Sequence, residues 1–405
     1  MKQMMTILGI AVMVGCVATL NAWAGESSEP AIETTAVTEI LPAESKPVVQ
    51  IAILLDTSGS MSGLIDQART ELWSIVNEFI FARKHGKAPE VQVALYEYGN
   101  SGLTRKGGYI RRIVPLTTDL DKISEELFAL TTNGGDEHCG WVIREAAEDL
   151  AWSDATDDLK VIFIAGNEPF TQGPVHYKDA CAKAIERGVV VNTIHCGPDR
   201  QGIEGKWKDG AVLADGRYLN IDHNRQVVHI AAPQDTEIAE LGVRLNQTYI
   251  PFGLEGELAR GRQTTQDLNA QRAGAVAQVQ RAVTKSSANY KNAAWDLIDA
   301  VRDEQVDLEQ IEPESLPDNM RKMNAKQRQE YIKGQAKQRE EIQTRIQQLN
   351  EQRRLHVAKE MKRQGEGQTL GSAIKEAIRT QARKKHYTFE SPQQPATPTE
   401  KEPQK

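Results

Sequence analysis

The sequence predicts an α/β fold, a mostly parallel central sheet with helices on both faces, followed by an α-helical extension. Three observations carry this. "PVVQIAILLD", "DLKVIFIAG" and "VVVNTIHCG" are continuous apolar runs, the pattern of strands buried on both faces. Segments with helical spacing alternate with them between residues 48 and 253, which builds an open, mostly parallel sheet. From residue 254 the strand-like runs stop, and a Lys/Arg/Gln/Glu-rich stretch without proline fills 324–364.

The elements follow in order. "MKQMM" gives a short basic start, "TILGIAVMVGCVATL" is apolar, and Ala22 and Ala24 are small, so residues 1–24 read as a signal peptide cleaved after Ala24. The run is short for a membrane span, which needs about 20 residues. Lipid attachment at Cys16 is disfavoured, because Met13 is a poor residue for that signal. No later segment is apolar enough to span a bilayer. The mature protein is therefore expected outside the cytoplasm, in a periplasm, at a cell surface or secreted. Residues 25–47 lack periodicity and read as a flexible linker. After the first strand, Leu64, Ala68, Leu72, Ile75, Val76, Phe79 and Ile80 predict a helix over 64–85, stopped by Gly86. "EVQVALYEYG" is a strand and "YIRRIVPL" an edge strand. "DLDKISEELFALT", "HCGWVIREAAEDLAW" and "YKDACAKAIERG" are helices. "GKWKDGAVLADGRYLNID" reads as loop and hairpin with a short final strand, and "DTEIAELGVRLNQTYI" as a closing helix. That completes a first domain over 48–253.

Residues 254–385 form the helical extension. In its long basic helix, 324–364, Ile332, Ile342, Ile346 and Leu349 follow a 3.5-residue repeat that Gln335, Arg339 and Arg353 interrupt. A solvated or domain-packing helix fits this better than a self-associating coiled coil. "SAIKEAIRTQARKK" is a further short helix, and 386–405 a disordered tail. The net charge of −7 is divided unevenly: 20 Lys+Arg against 10 Asp+Glu from residue 321 onward, and 29 against 46 before it. An acidic front and a basic tail suggest separate, mutually attracted modules, and deletion of 321–405 is expected to leave the first domain folded. Cys139, Cys181 and Cys196 remain after cleavage, either as one disulfide with a free thiol or as three buried thiols. No Cys/His spacing suggests zinc, and His138, His176 and His195 read as ordinary loop or strand residues.

The chemistry gathers at "IAILLDTSGSMSG". Ligands bind at the carboxyl ends of strands in open α/β sheets, and Asp56 stands at such an end. Asp56, Ser58 and Ser60 alternate along the loop, so their oxygens turn toward one point and suit a hard cation such as Mg²⁺. The N-terminus of the next helix adds positive potential beside it. "DTSGS" resembles the D-x-S-x-S signature of the von Willebrand factor type A domain, over roughly residues 48–250. The resemblance implies a Rossmann-like sheet whose metal ion-dependent adhesion site holds a divalent cation through those three residues, completed by a carboxylate from a protein partner. Family members mostly bind proteins and are not enzymes.

The remaining loops depart from the family pattern. In "NGGDEHCG", Asp136 stands where a threonine is expected. In "FIAGNEPF", Ala165 and Gly166 replace the usual Asp-Gly, followed by Asn167 and Glu168. Asp136 is therefore expected to supply a second carboxylate, with Glu137, Asn167 and Glu168 as lesser candidates. The alternative is that Asp136 and Glu137 only cap helix 138–150. Two direct carboxylates would mute the cation's pull on a third and shift preference from Mg²⁺ or Mn²⁺ toward Ca²⁺. The alternative to the site as a whole is that Asp56, Ser58 and Ser60 serve only as turn and cap hydrogen bonds, and that the protein is a metal-independent scaffold binding through its helices.

Enzyme classes lose on their motifs. "DTSGS" is not the aspartic-protease "DTGS", and no second copy supplies a dyad. Met61 occupies the serine position of a nucleophile elbow, and no GxxxxGK[ST] phosphate loop exists. A hydrolase would have only Glu137, His138 or Glu168 to nominate as a base. Tyr331 is the one aromatic within 324–364, which argues against a nucleic-acid stacking platform. The expectation is a non-enzymatic protein in adhesion, envelope assembly or scaffolding, binding a protein that offers an acidic side chain.

Overall fold

The computed structural model describes residues 46–222, 230–364 and 370–389. The targeting segment, nearly all of the linker and residues 390–405 of the tail lie outside these. Strand β1 (Val48–Asp56) is central, flanked by β3 (Glu90–Tyr98) and β5 (Leu159–Gly166). With β2 (Ala82–Arg83) set apart, the sheet order is β4-β3-β1-β5-β6-β7, where β4 is Ile110–Thr117, β6 Val190–Cys196 and β7 Tyr218–Ile221. All neighbours are parallel except β4, which runs antiparallel to β3 at the edge with register shifts. Every residue of β5 is buried, as its unbroken apolar run requires.

Helices close both faces. On one side lie α1 (Ser62–Asn77) and α2 (Leu120–Ala129), burying Leu64, Leu72, Val76, Ile123 and Leu127. On the other lie α3 (Cys139–Asp149) and α4 (Tyr177–Glu186), with Val142, Ile143 and Ala180 against Ile162 and Ile164. The crossover from β6 to β7 holds two short helices, α5 (Asp199–Glu204) and α6 (Trp207–Leu213). After β7 come α7 (Asp235–Asn246), α8 (Gly256–Ala273), α9 (Ala275–Lys285), α10 (Leu297–Arg302), α11 (Asp318–Arg321), α12 (Ala325–Gln364), α13 (Leu370–Lys384) and the strand β8 (Thr388–Phe389).

Several expectations are corrected. The helix expected over 64–85 ends at Asn77. Phe79, Ile80 and Ala82 bond three residues back, which tightens the chain into a turn. Asn77 Nδ2 is held by Gln280, and β2 then pairs with β8. The hairpin expected over 205–222 is instead α6 followed by β7 parallel to β6. Trp207 fixes it, buried 4.8 Å from the Phe170 ring.

The boundary at 253 does not separate two cores. Ala270 of α8, Ala277 of α9, and Ile374, Ala377 and Ile378 of α13 sit in the same cluster as Ile51, Leu72 and Phe163. The basic tail is thus part of the sheet's cover, and deletion of 321–405 would strip it. β8 likewise lies within the expected disordered tail, held by its pairing to β2. α12 packs within the molecule, with Ile342, Ile346 and Leu349 against α7 and α9. Cys139, Cys181 and Cys196 are buried free thiols.

Candidate metal centre

Asp56 ends the central strand opposite Tyr98 of β3 and is 0% exposed. The loop beyond it is tied down locally. Ser58 N–H donates to Asp56 Oδ1 at 2.8 Å, and Met61 N–H to Ser58 O at 3.1 Å. Thr57 faces the opposite way: its Oγ1 donates to Glu97 Oε2 at 3.1 Å, and its carbonyl accepts from Asn133 N–H at 3.0 Å. That alternation leaves Ser58 and Ser60 on the Asp56 side. The third loop enters at Gly166, where a Cβ would stand 2.9 Å from Asp56 Oδ2 and press on Tyr98 Oη, so the close approach needs glycine. Asn167 follows, its Nδ2 donating to Ser60 Oγ at 3.3 Å.

The structure gathers Asp56, Ser58, Ser60, Glu137, Asn167 and Glu168 at the carboxyl end of β1, with Asp136 exposed on the same loop as Glu137. Glu137, the next residue, is buried and turns toward Asp56. Neither acid caps α3 in the expected way, since His138 is its N-cap and no side-chain cap bond forms. Glu137 N–H instead donates to Gln172 Oε1 at 2.5 Å.

Burial dominates the electrostatics, and neighbouring carboxylates add to it. Burial pushes Asp56 up to about 6; Ser58 and the Asn167 backbone oppose this, and the Glu168 charge adds to it. Burial, then the Asp56 and Glu168 charges, pushes Glu137 up to about 7. Three oxygens are left over: Asp56 Oδ2, Ser58 Oγ and Asn167 Oδ1 are buried without a hydrogen-bond partner. Orphaned buried oxygens beside mutually repelling carboxylates fit a hard divalent cation. No group of three His, Cys, Asp or Glu side chains forms a metal-type cluster among the described residues. The donor set here relies on hydroxyl and amide oxygens beside its acids.

Residues that sequence reasoning passed over brace the third loop. Trp207 Nε1 donates to Glu168 O at 2.8 Å, and His195 Nε2 lies 3.3 Å from Asn167 O. Asn220 Nδ2 contacts His195 Nδ1 at 3.2 Å. His195 alternates inward on a buried strand, which marks it as core; nothing in the sequence ties it to residue 167.

No curated protein matches the chain. Solved structures similar to it include the conserved hypothetical protein BatB from Bacteroides thetaiotaomicron, with 17% identity over 43% of this chain and 90% of that one, at a TM-score of 0.33. The VWA domain of SpRpn10 is 15% identical over 45% of this chain and 100% of that one, at 0.31. The pilus adhesin SpaC from Lactobacillus rhamnosus GG is 16% identical over 44% of this chain and 28% of that one, at 0.33. The family model of the von Willebrand factor type A domain matches residues 50–204, the span that runs from β1 through α5. The chain contains a von Willebrand factor type A domain over these residues.

Proposed function

We propose that this domain is a protein-binding module, not an enzyme, and that it engages its partner through a divalent cation at the carboxyl end of β1. Asp56, Ser58 and Ser60 hold the ion, with Asn167 and the nearby acids completing its surroundings. When bound, the cation offers a Lewis-acidic position to an oxygen of the partner, which by the family resemblance is an acidic side chain. The observation that carries this is the set of orphaned buried oxygens on Asp56, Ser58 and Asn167. The proposed setting is outside the cytoplasm, in adhesion, envelope assembly or scaffolding. It rests on the apolar segment within 1–24, which lies outside the described residues. Among the described residues no helix is long and apolar enough to cross a membrane.

Calorimetric titration of Mg²⁺, Mn²⁺ and Ca²⁺ into the protein tests the site. Saturable binding by the wild type that disappears in Asp56→Ala is expected. Absence of binding in both would favour the second reading, a metal-independent scaffold. One observation supports that reading: Leu254 is 98% exposed and Leu258, on α8, 68% exposed, an apolar surface on the helical extension. Partner capture that survives EDTA would point there.

A further inference from the structure

Glu137 reaches the site from the second loop, where the D-x-S-x-S motif makes no demand. It is 7% exposed. Its Cγ lies 2.9 Å from the point where a Gly99 Cβ would stand, and Asp56 Oδ1 lies 3.0 Å from that same point. Gly99 itself, at φ 80°, is what lets the two side chains close over the backbone there. Beyond burial, the Asp56 and Glu168 charges act on Glu137. Asp56 Oδ2, on the Gly166 side of the carboxyl, and Ser58 Oγ are buried and without a hydrogen-bond partner, on side chains 0% and 4% exposed. Two buried carboxylates from separate loops, with orphaned oxygens beside them, suit a shared cation.

We propose that Glu137 is a direct second carboxylate ligand of the bound ion and that it makes the site selective for Ca²⁺ over Mg²⁺. This rests on the reading that a divalent cation occupies the site. Asp56, Ser58, Ser60, Glu137 and Asn167 together offer side-chain oxygens from three loops. Ca²⁺ takes about 6–8 oxygens at about 2.3–2.6 Å in a tolerant geometry and accepts bidentate carboxylates. Mg²⁺ demands near-octahedral ligands at about 2.0–2.1 Å and keeps several waters, for which a site this rich in protein oxygens leaves little room. Asp136, one residue earlier, takes no part.

Calorimetry on the full chain with CaCl₂ and MgCl₂ tests this, comparing wild type with Glu137→Gln, Asp136→Ala and Asp56→Ala. Ca²⁺ is expected to bind the wild type at least about 10-fold more tightly than Mg²⁺, a gap of about 1.4 kcal/mol. Glu137→Gln is expected to lose at least about 10-fold in Ca²⁺ affinity and to narrow the Ca²⁺/Mg²⁺ ratio, with Asp136→Ala unchanged. Melting in EDTA gives a second readout. Glu137→Gln should melt no lower than wild type, having lost a like-charge neighbour, yet gain less from added Ca²⁺. If Glu137→Gln does not fold, Glu137→Asp, which keeps the charge but shortens the reach, should fold and bind Ca²⁺ more weakly. Unchanged Ca²⁺ affinity and ratio in Glu137→Gln, with binding lost in Asp56→Ala, would overturn the role of Glu137 and leave the cation site standing. No saturable binding of either ion by the wild type would overturn both.

Discussion

Arg281 shows how a single charged residue is made to serve as core. It is 2% exposed on α9, its guanidinium 4.5 Å from the centre of the Trp73 ring. Nε donates to Asp267 Oδ1 at 2.7 Å and Nη1 to Asp121. Lys285, one turn on, gives Nζ to Asp267 Oδ2 at 2.6 Å and to Asn246 Oδ1 at 2.7 Å. Burial pushes Asp267 up, but the Lys285 and Arg281 charges outweigh it and hold the carboxyl down at about 2. An acid whose folded pKa is depressed adds stability above its unfolded value of about 3.9 and loses it as pH falls toward the folded one. Melting temperature is therefore expected to drop between about pH 4 and pH 2, and Asp267→Asn, already destabilised at neutral pH, should show a flatter profile. At the carboxyl end of β1 the same scale separates exposed Asp136 from buried Glu137. Adjacent loop residues point to different sides according to a few backbone angles, and a sequence of two acids in a row does not say which one turns inward.

At the scale of elements, α12 shows where helical pattern reading succeeds and where it stops. The helix expected over 324–364 is observed as Ala325–Gln364. Its apolar positions Ile342, Ile346 and Leu349 are buried as their spacing demands. Arg339, which interrupts the repeat, is buried too. It grips Asp296 with Nη1 at 2.7 Å and Nη2 at 3.0 Å, gives Nη2 to Thr248 O at 2.8 Å, and stacks 4.1 Å from the centre of the Tyr249 ring. Asp299, 3.3 Å away, shares the cation. Arg339→Ala would leave buried Asp296 without its ion-pair partner, while Asp299 keeps Arg302 at 3.1 Å, and urea denaturation should show a loss of about 3–5 kcal/mol. A loss under about 1 kcal/mol, the range of an exposed pair, would contradict that account. The strands were easier to read than this helix contact, because a fully buried strand needs an unbroken apolar run whatever covers it. Among the shorter elements α6 was missed, since its seven residues are too few to display a period and one buried tryptophan anchors them.

For the whole molecule, the uneven charge of the sequence has a structural counterpart. Arg353 meets Asp235 at 2.6 Å, Arg345 meets Glu237 at 2.7 Å, Glu376 meets Arg217 at 2.8 Å, and Arg379 meets Glu78. The exposed pairs among these, Arg345–Glu237 and Arg217–Glu376, contribute about 0–1 kcal/mol each. The stronger join is apolar: Ile374, Ala377 and Ile378 complete the core above β1 and β5. Deleting 321–405 should therefore abolish cooperative melting in calorimetry and expose one face of the sheet. A truncated protein that still melts in a single sharp transition would show that the sheet does not need this cover.

The sequence by itself determined the alternation of strands and helices, the central place of the run ending in Asp56, and the alternating oxygens of the D-x-S-x-S loop. These are local properties: periodicity states that a face is buried, and a motif states which atoms share a turn. Tertiary structure alone decided that the sheet is covered by helices drawn from beyond residue 253, that Glu137 is buried beside Asp56 while Asp136 is exposed, and that Arg281 and Arg339 are core residues. Each of those depends on a partner far along the chain. A residue's own neighbours in sequence carry the information that it will be buried or turned, and the identity of what it meets there is set only when the chain closes on itself.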